Sequence, residues 1–245
     1  MTDAELAADL AEKAGKLLIK LRSESSLSGK QLGDAGDRAA NELLVAALAE
    51  SRPNDGLLSE ESKDTDARLA KERVWIIDPV DGTREYGEGR DDWAVHVALA
   101  IDGRAAIGAV DLPALQLTLR SDQPIAPPSC AAKARLVVSR SRPAKEALMV
   151  AEKLDAELIP MGSAGAKAMA VVRGEADIYL HSGGQYEWDN CAPVAVAEAH
   201  GLFCSRIDGS ALRYNSRDTY LPDLLICHRE QADMILDLIA NAANG

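Results

Sequence analysis

Apolar residues return at Leu6, Leu10, Leu17, Leu18 and Leu21 with charged residues between them, the spacing of a one-sided amphipathic helix over residues 3–22. Ser and Gly residues over 23–33 interrupt the pattern. A second helix is expected from about Asp37 to Ser51, with Leu43, Leu44, Ala47 and Leu48 inward and Pro53 as its stop. Residues 74–77 and 93–101 are β-rich, and the second run alternates in part with polar positions. Asp102-Gly103 suits the positive φ of a tight turn, so 105–110 is expected to fold back as a hairpin, with 115–119 as a further strand.

Residues 123–129 carry Pro124, Pro127 and Pro128 and little periodicity, the best candidate for a seam. Beyond it the pattern alternates. Strands are expected at 136–138, 157–159, 178–180 and 224–227, and helices at 143–154, 164–172, 194–199 and 230–243. Such alternation is the mark of an α/β layer. The expected division is an N-terminal α+β half, residues 1–128, and a C-terminal α/β half, residues 129–245.

Composition narrows the class. The 245 residues are 47% hydrophobic and 27% charged, as in ordinary globular chains, and only 4% aromatic, so the core must be built from Leu, Val, Ile and Ala. A formal charge of −12 repels a phosphate backbone and argues against binding nucleic-acid polymers. No basic, apolar leader and no long apolar run are seen, so neither secretion nor a membrane span is expected. Cys130, Cys191, Cys204 and Cys227 have no metal-finger spacing and read as reduced thiols of a cytoplasmic protein.

Candidate chemistry concentrates in Ile77-Asp78-Pro79-Val80-Asp81-Gly82-Thr83. An apolar strand runs to Ile77, then two carboxylates arrive three positions apart around a proline that biases Asp78 to extended backbone. Side by side, such carboxylates repel unless a cation lies between them. Oxygen ligands without histidines suit Mg²⁺. Read alone, the pair is equally well a helix cap and a solvated turn. Glu60 and Glu61 after Leu57-Leu58-Ser59, and Asp189 after Trp188, repeat the theme of an acid at the edge of an apolar element. His96, within an alternating strand, reads as a core or sheet-face residue; Trp93, Tyr186 and Trp188 read as packing, with a base-stacking platform as the alternative for one near a pocket, and Asp91-Asp92 as a solvated turn.

Asp78-Pro79-Val80-Asp81-Gly82-Thr83, Trp188-Asp189 and Ser59-Glu60-Glu61 together resemble the inositol monophosphatase superfamily of Mg²⁺-dependent, lithium-sensitive phosphatases. The resemblance implies an αβαβα sandwich with metals between its halves. It implies that Glu60, Asp78 and the Val80 carbonyl hold one Mg²⁺, that Asp78, Asp81 and Asp189 hold a second, and that a third, weaker ion lies near Glu60. It also implies inhibition by Li⁺ at the Asp78–Asp81–Asp189 position. Asp37 and Thr83 stand where the family activates the attacking water, although Gly33-Asp34-Ala35-Gly36-Asp37 departs from the usual Val-Thr-x-x-Asp. Glu61 matches no ligand position. Backbone N–H groups of Gly82 and Thr83 are expected to meet phosphate.

Within the superfamily, Ser139-Arg140-Ser141-Arg142 and Gly162-Ser163-Ala164-Gly165-Ala166-Lys167 resemble the CysQ-type nucleotidases that act on 3′-phosphoadenosine 5′-phosphate, with Arg142 where that group has His. The resemblance makes Ser139, Arg140, Lys167, His181, Tyr214 and Asn215 the candidate nucleotide-side residues. Inositol monophosphate and fructose 1,6-bisphosphate are the alternative substrates, and a non-catalytic metal- or nucleotide-binding regulator is the alternative class. The implied partner is a small phosphate ester, and the family often forms homodimers.

Overall fold

The computed structural model describes residues 1–127 and 129–243. Helices α1 (Asp3–Glu24) and α2 (Gly29–Ser51) come first, and Thr2 and Glu5 close a reciprocal capping box on α1. A five-stranded sheet follows, in the order β1 (Gly56–Ser59), β2 (Arg73–Asp81), β3 (Ala94–Ile101), β4 (Arg104–Leu112) and β5 (Leu117–Arg120), with the short helix α3 (Thr83–Gly87) after β2. Only β1 and β2 are parallel in this sheet.

The second sheet comprises β6 (Arg135–Ser139), β7 (Glu157–Met161), β8 (Ile178–Tyr186), β9 (Phe203–Ser205) and β10 (Tyr220–Cys227), ordered β7-β6-β8-β10-β9. Helices α4 (Lys145–Lys153), α5 (Ala164–Val172), α6 (Glu187–Ala199) and α7 (Ala232–Ala243) accompany it.

Why β2 reads as an unbroken apolar run is plain from its two faces. Trp75 and Ile77 pack with Leu10, Leu18, Leu44 and Leu48 of α1 and α2, whereas Val74 and Ile76 pack with Ala166 and Met169 of α5 and Cys191 of α6. A strand covered on both sides has no polar face to show. Tyr179, Leu224 and Ile226 of the second sheet close on the same α5–α6 layer, while Leu136, Ile178 and Leu225 face α4 and α7. The layers are therefore α1/α2, sheet, α5/α6, sheet, α4/α7: the αβαβα sandwich. Its central apolar layer draws on both sheets. Burying each such side chain contributes about 1.5–3 kcal/mol.

Several boundaries differ from the sequence expectation. Helix α2 begins at Gly29 rather than near Asp37, because its glycines lie where α3 packs closely against it. Helix α6 begins at Glu187, well ahead of the expected 194, and carries Pro193 inside it. Strand β8 continues to Tyr186, and β5 starts at Leu117 because residues 113–115 form a 3-10 turn. Residues 123–127 and Ser129 lie in no helix or strand, while Pro128 lies outside the described residues.

Candidate active site

Asp78 and Asp81 are three residues apart, and in a regular strand their side chains would leave opposite faces. Between them the pairing with β3 slips: Asp78 faces His96 and Asp81 faces Ala94, so three steps on β2 match two on β3. The extra residue of this bulge restores a common face. Gly82 then turns the chain at φ 86° into α3.

Carboxylate oxygens of Asp78, Asp81 and Asp189 lie within 4.8 Å of one another. Asp189 arrives from the first turn of α6, where its Oδ2 accepts the Tyr186 N–H at 2.6 Å. Glu60, just past β1, donates its N–H to the Ile77 carbonyl at 3.4 Å, and its carboxyl is near enough to Asp78 to oppose its ionisation. Val80 N–H donates to Asp78 Oδ1 at 3.0 Å, leaving the Val80 carbonyl to accept from Thr83 Oγ1 at 3.1 Å. Asp37 reaches Thr83 Oγ1 from α2 at 3.4 Å. That approach explains Gly33 and Gly36: a Cβ on either would sit 2.7 Å from Thr83 or Tyr86 side-chain carbon.

The electrostatics follow from burial and crowding. Burial, then Glu61, pushes Asp37 up to about 7; burial, then Asp37, pushes Glu60 up to about 7; burial, then Asp81, pushes Asp189 up to about 7. Asp78 is raised by burial and by Glu60, Asp81 and Asp189. Asp81 goes the other way. Burial acts to raise it, but His96, Ser163 and the Gly165 amide outweigh that effect. Its oxygens accept the Ala164 and Gly165 N–H groups at 3.1 and 2.6 Å, at the start of α5.

An all-oxygen set whose acids resist joint ionisation fits a hard divalent cation, which Glu60, Asp78, Asp81, Asp189 and the Val80 carbonyl would hold.

His96 is fully buried, as the sequence suggested, yet it is more than packing. Its Nε2 lies 3.2 Å from Asp81 Oδ2, off the line of a hydrogen bond, and its Nδ1 is 3.0 Å from the Trp188 carbonyl. The ring thus bridges the strand carrying Asp81 to the residue before Asp189. Asp92 is likewise more than a solvated turn, because its Oδ2 accepts the Gly162 N–H at 2.6 Å. Trp93 is fully buried against Tyr86, while Tyr186 stacks on Trp188 at 4.9 Å and is 42% exposed.

Asp81, Gly82 and Asp189 line a 320 Å³ cleft together with Ser139, Arg140, Arg142, Lys167 and His181. Burial lowers Lys167 to about 8, and its ammonium donates to the Gly162 and Ser163 carbonyls. Burial, then Lys167, lowers His181 to about 4; its Nε2 is 2.8 Å from the Gly183 carbonyl. Ser139 Oγ accepts the Arg142 N–H. Arg140 is committed to Glu85 and Glu88, both at 2.7 Å. The Arg142 side chain, in contrast, has no ion pair among the described residues. The resemblance singles out Arg140, and nothing in the sequence announces that Glu85 and Glu88 occupy it.

Tyr214 and Asn215 do not join this cleft. Tyr214 is buried with its hydroxyl donating to Asn190 Oδ1 and lines a separate cavity beside Arg104 and Glu198. Asn215 is tied to Arg68 and, through its N–H, to Glu187. Both hold the segment before β10 against α6.

Comparison with known proteins agrees with this geometry. The inositol monophosphatase family profile matches residues 2–243. The 3′-phosphoadenosine 5′-phosphate phosphatase of Mycobacterium leprae is 49% identical over 98% of this chain and 94% of its own length. CysQ from Bacteroides thetaiotaomicron, a bacterial member of the inositol monophosphatase family, superposes with a TM-score of 0.80 at 26% identity, over 93% of this chain and 97% of that one. The inositol monophosphatase of Anabaena shares the fold, with a TM-score of 0.81 at 22% identity over 97% and 95%. With its acids gathered at a strand bulge and its profile matched almost end to end, this chain belongs to the inositol monophosphatase family and is a phosphoric monoester hydrolase.

Proposed function

We propose that the protein hydrolyses 3′-phosphoadenosine 5′-phosphate to AMP and phosphate, with Mg²⁺ bound by Glu60, Asp78, Val80, Asp81 and Asp189. The observation that carries this reading is the single cleft lined by Asp81 and Asp189 together with Arg142, Lys167 and His181. Its acids suit the ions that the reacting phosphate needs, and its basic side chains suit a second anionic group. The relative from M. leprae points to the same ester.

Phosphate monoester hydrolysis is among the slowest uncatalysed reactions, and its catalysis rests on positioning and charge stabilisation. Bound Mg²⁺ supplies that stabilisation and lowers the pKa of the attacking water. The chain's own part is orientation. Thr83 Oγ1, held by the Val80 carbonyl, orients the water; Asp37, raised to about 7, takes its proton. The Gly82 and Thr83 N–H groups face the phosphate. Ser139, Lys167 and His181 shape the nucleotide side, and Arg142 meets the 5′-phosphate by a charge-assisted contact. Arg140 serves by fixing Glu85 and Glu88 at the rim.

The proposal extends to Li⁺ inhibition at Asp78–Asp81–Asp189, to a homodimer, and to a reducing, cytoplasmic setting that suits four free thiols. Removing this nucleotide would serve sulfur assimilation.

Initial-rate comparison of three esters tests the substrate. kcat/KM for 3′-phosphoadenosine 5′-phosphate is expected to exceed that for inositol monophosphate and fructose 1,6-bisphosphate by about tenfold or more, a difference of about 1.4 kcal/mol. Arg142→Ala is expected to erase most of that lead by raising KM for the bisphosphate while leaving 3′-AMP hydrolysis unchanged. Preference for inositol monophosphate in the parent protein overturns the nucleotide reading.

A further inference from the structure

Away from the phosphatase cleft, the loop ahead of β6, the turn ahead of β8 and the end of β10 bring together a thiol, a carboxylate and an imidazole. Ligand atoms of Cys130, Asp177 and His228 lie within 4.8 Å of one another. Glu230 adds a second carboxylate, with its Oε1 3.5 Å from Cys130 Sγ. His228 is only 5% exposed, and its Nε2 is buried with no hydrogen-bond partner among the described residues. Leaving such a nitrogen unpaired is costly, and a ligand that accepts its lone pair removes the cost.

We propose that Cys130, Asp177, His228 and Glu230 form a second metal site, which takes a borderline-soft divalent ion of the Zn²⁺ type. The donor set supports this choice over Mg²⁺: sulfur and imidazole favour Zn²⁺, and Cys130, Asp177 and His228 supply three donors, with Glu230, beside Cys130, the carboxylate that would swing in to close a tetrahedral shell. No position remains for substrate, so the ion is structural. It ties the connector between the two sheets to the end of β10.

Crowding of like charge points the same way. Burial, then Glu230 and Asp177, raises the Cys130 thiol to about 11, a penalty that a dication reverses. On binding, the thiol releases its proton to solvent and the thiolate becomes the ligand. Asp177 is tied on both oxygens to Arg135 and to the Ala131 and Arg135 amides. It offers the ion an oxygen by releasing one Arg135 contact, and the Arg135 side chain, 27% exposed, has solvent to turn into. Donors around a zinc ion stand about 3.5 Å apart, so Cys130, Asp177 and His228, now within 4.8 Å of one another, draw together by up to about 1.3 Å, and Glu230 moves in beside them. Cys130 on its loop and the exposed Glu230 supply that movement.

Co²⁺ is the probe, because the phosphatase site contains no sulfur and only a thiolate ligand gives a sulfur-to-cobalt charge-transfer band in the near ultraviolet. Reduced, metal-free full-length protein titrated with Co²⁺ is expected to develop that band, reaching at saturation the intensity of one thiolate-ligated Co²⁺ per chain, and added Zn²⁺ to bleach it. Cys130→Ser is expected to lack the band with phosphatase activity and metal-free melting temperature unchanged. His228→Gln is expected to weaken Co²⁺ binding at this site about tenfold or more, and Asp78→Asn to keep the band. Absence of the band in the parent protein, its persistence in Cys130→Ser, or its loss in Asp78→Asn overturns the proposal.

Discussion

Asp78→Asn is expected to lower kcat at least about 10³-fold while leaving the metal-free protein no less stable than the parent. Asp78 is fully buried, and Glu60, Asp81 and Asp189 all act against its ionisation. Its negative charge is therefore a burden on the empty fold and is of use only to bound cations. An amide of the same shape keeps the acceptor for the Val80 N–H and removes the repulsion. It is a far poorer partner for Mg²⁺. Losing a cation's stabilisation of the transition state costs several kcal/mol, and about 4 kcal/mol is a thousandfold in rate. Turnover at saturating Mg²⁺, measured beside thermal unfolding in chelator, checks both halves. Activity within tenfold of the parent removes Asp78 from the site; loss of activity with loss of fold makes its role structural.

The second large effect is a dependence of metal-free stability on pH. Asp37, Glu60 and Asp189 have folded-state values raised to about 7 from ordinary carboxylate values. Between those limits the folded protein holds protons that the unfolded chain has released. Stability from these groups is thus fully present below about pH 4 and is lost as pH rises through 7. Asp111, raised to about 6 by burial, adds to the same trend from outside the site. His181, lowered to about 4, opposes it up to about pH 6.5, and Lys167, lowered to about 8, opposes it toward the alkaline end; the three site acids outweigh them. In chelator, the melting temperature is expected to fall by about 5 °C or more between pH 5.5 and 8. Mg²⁺ at a hundredfold excess over its Kd restores about 2.7 kcal/mol, with the largest gain at pH 8 because ions bind the deprotonated acids. A metal-free protein that grows more stable toward pH 8 contradicts these assignments.

Much of the site was legible because its signals are local. An apolar run ending at Ile77, a proline after Asp78 and a glycine after Asp81 describe a strand that stops and turns with two acids on it. What was hidden depends on partners from elsewhere in the chain. The slip against β3 that aligns Asp78 with Asp81 is a property of pairing, which no residue of β2 announces. Arg140 and Arg142 are alike in sequence, and only the arrival of Glu85 and Glu88 from another element leaves one occupied and the other without an ion pair among the described residues. His96 fits a core position and becomes a bridge because Asp81 and the Trp188 carbonyl meet its two nitrogens. Helix α2 extends through residues that look like a break, since its glycines are there for the close packing of Thr83 and Tyr86. Tyr214 and Asn215 match a motif by position, yet their hydrogen bonds go to Asn190, Arg68 and Glu187.

The central claim is that acids from β1, β2 and α6 converge to hold divalent cations beside the reacting phosphate. Anomalous diffraction from crystals grown with Mn²⁺ and phosphate tests it most directly. At least two Mn²⁺ peaks are expected, one shared by Glu60, Asp78 and the Val80 carbonyl and one by Asp78, Asp81 and Asp189, with phosphate oxygens between them. A well-ordered crystal at saturating Mn²⁺ with no peak among these residues, or with ions bound only elsewhere, contradicts the account.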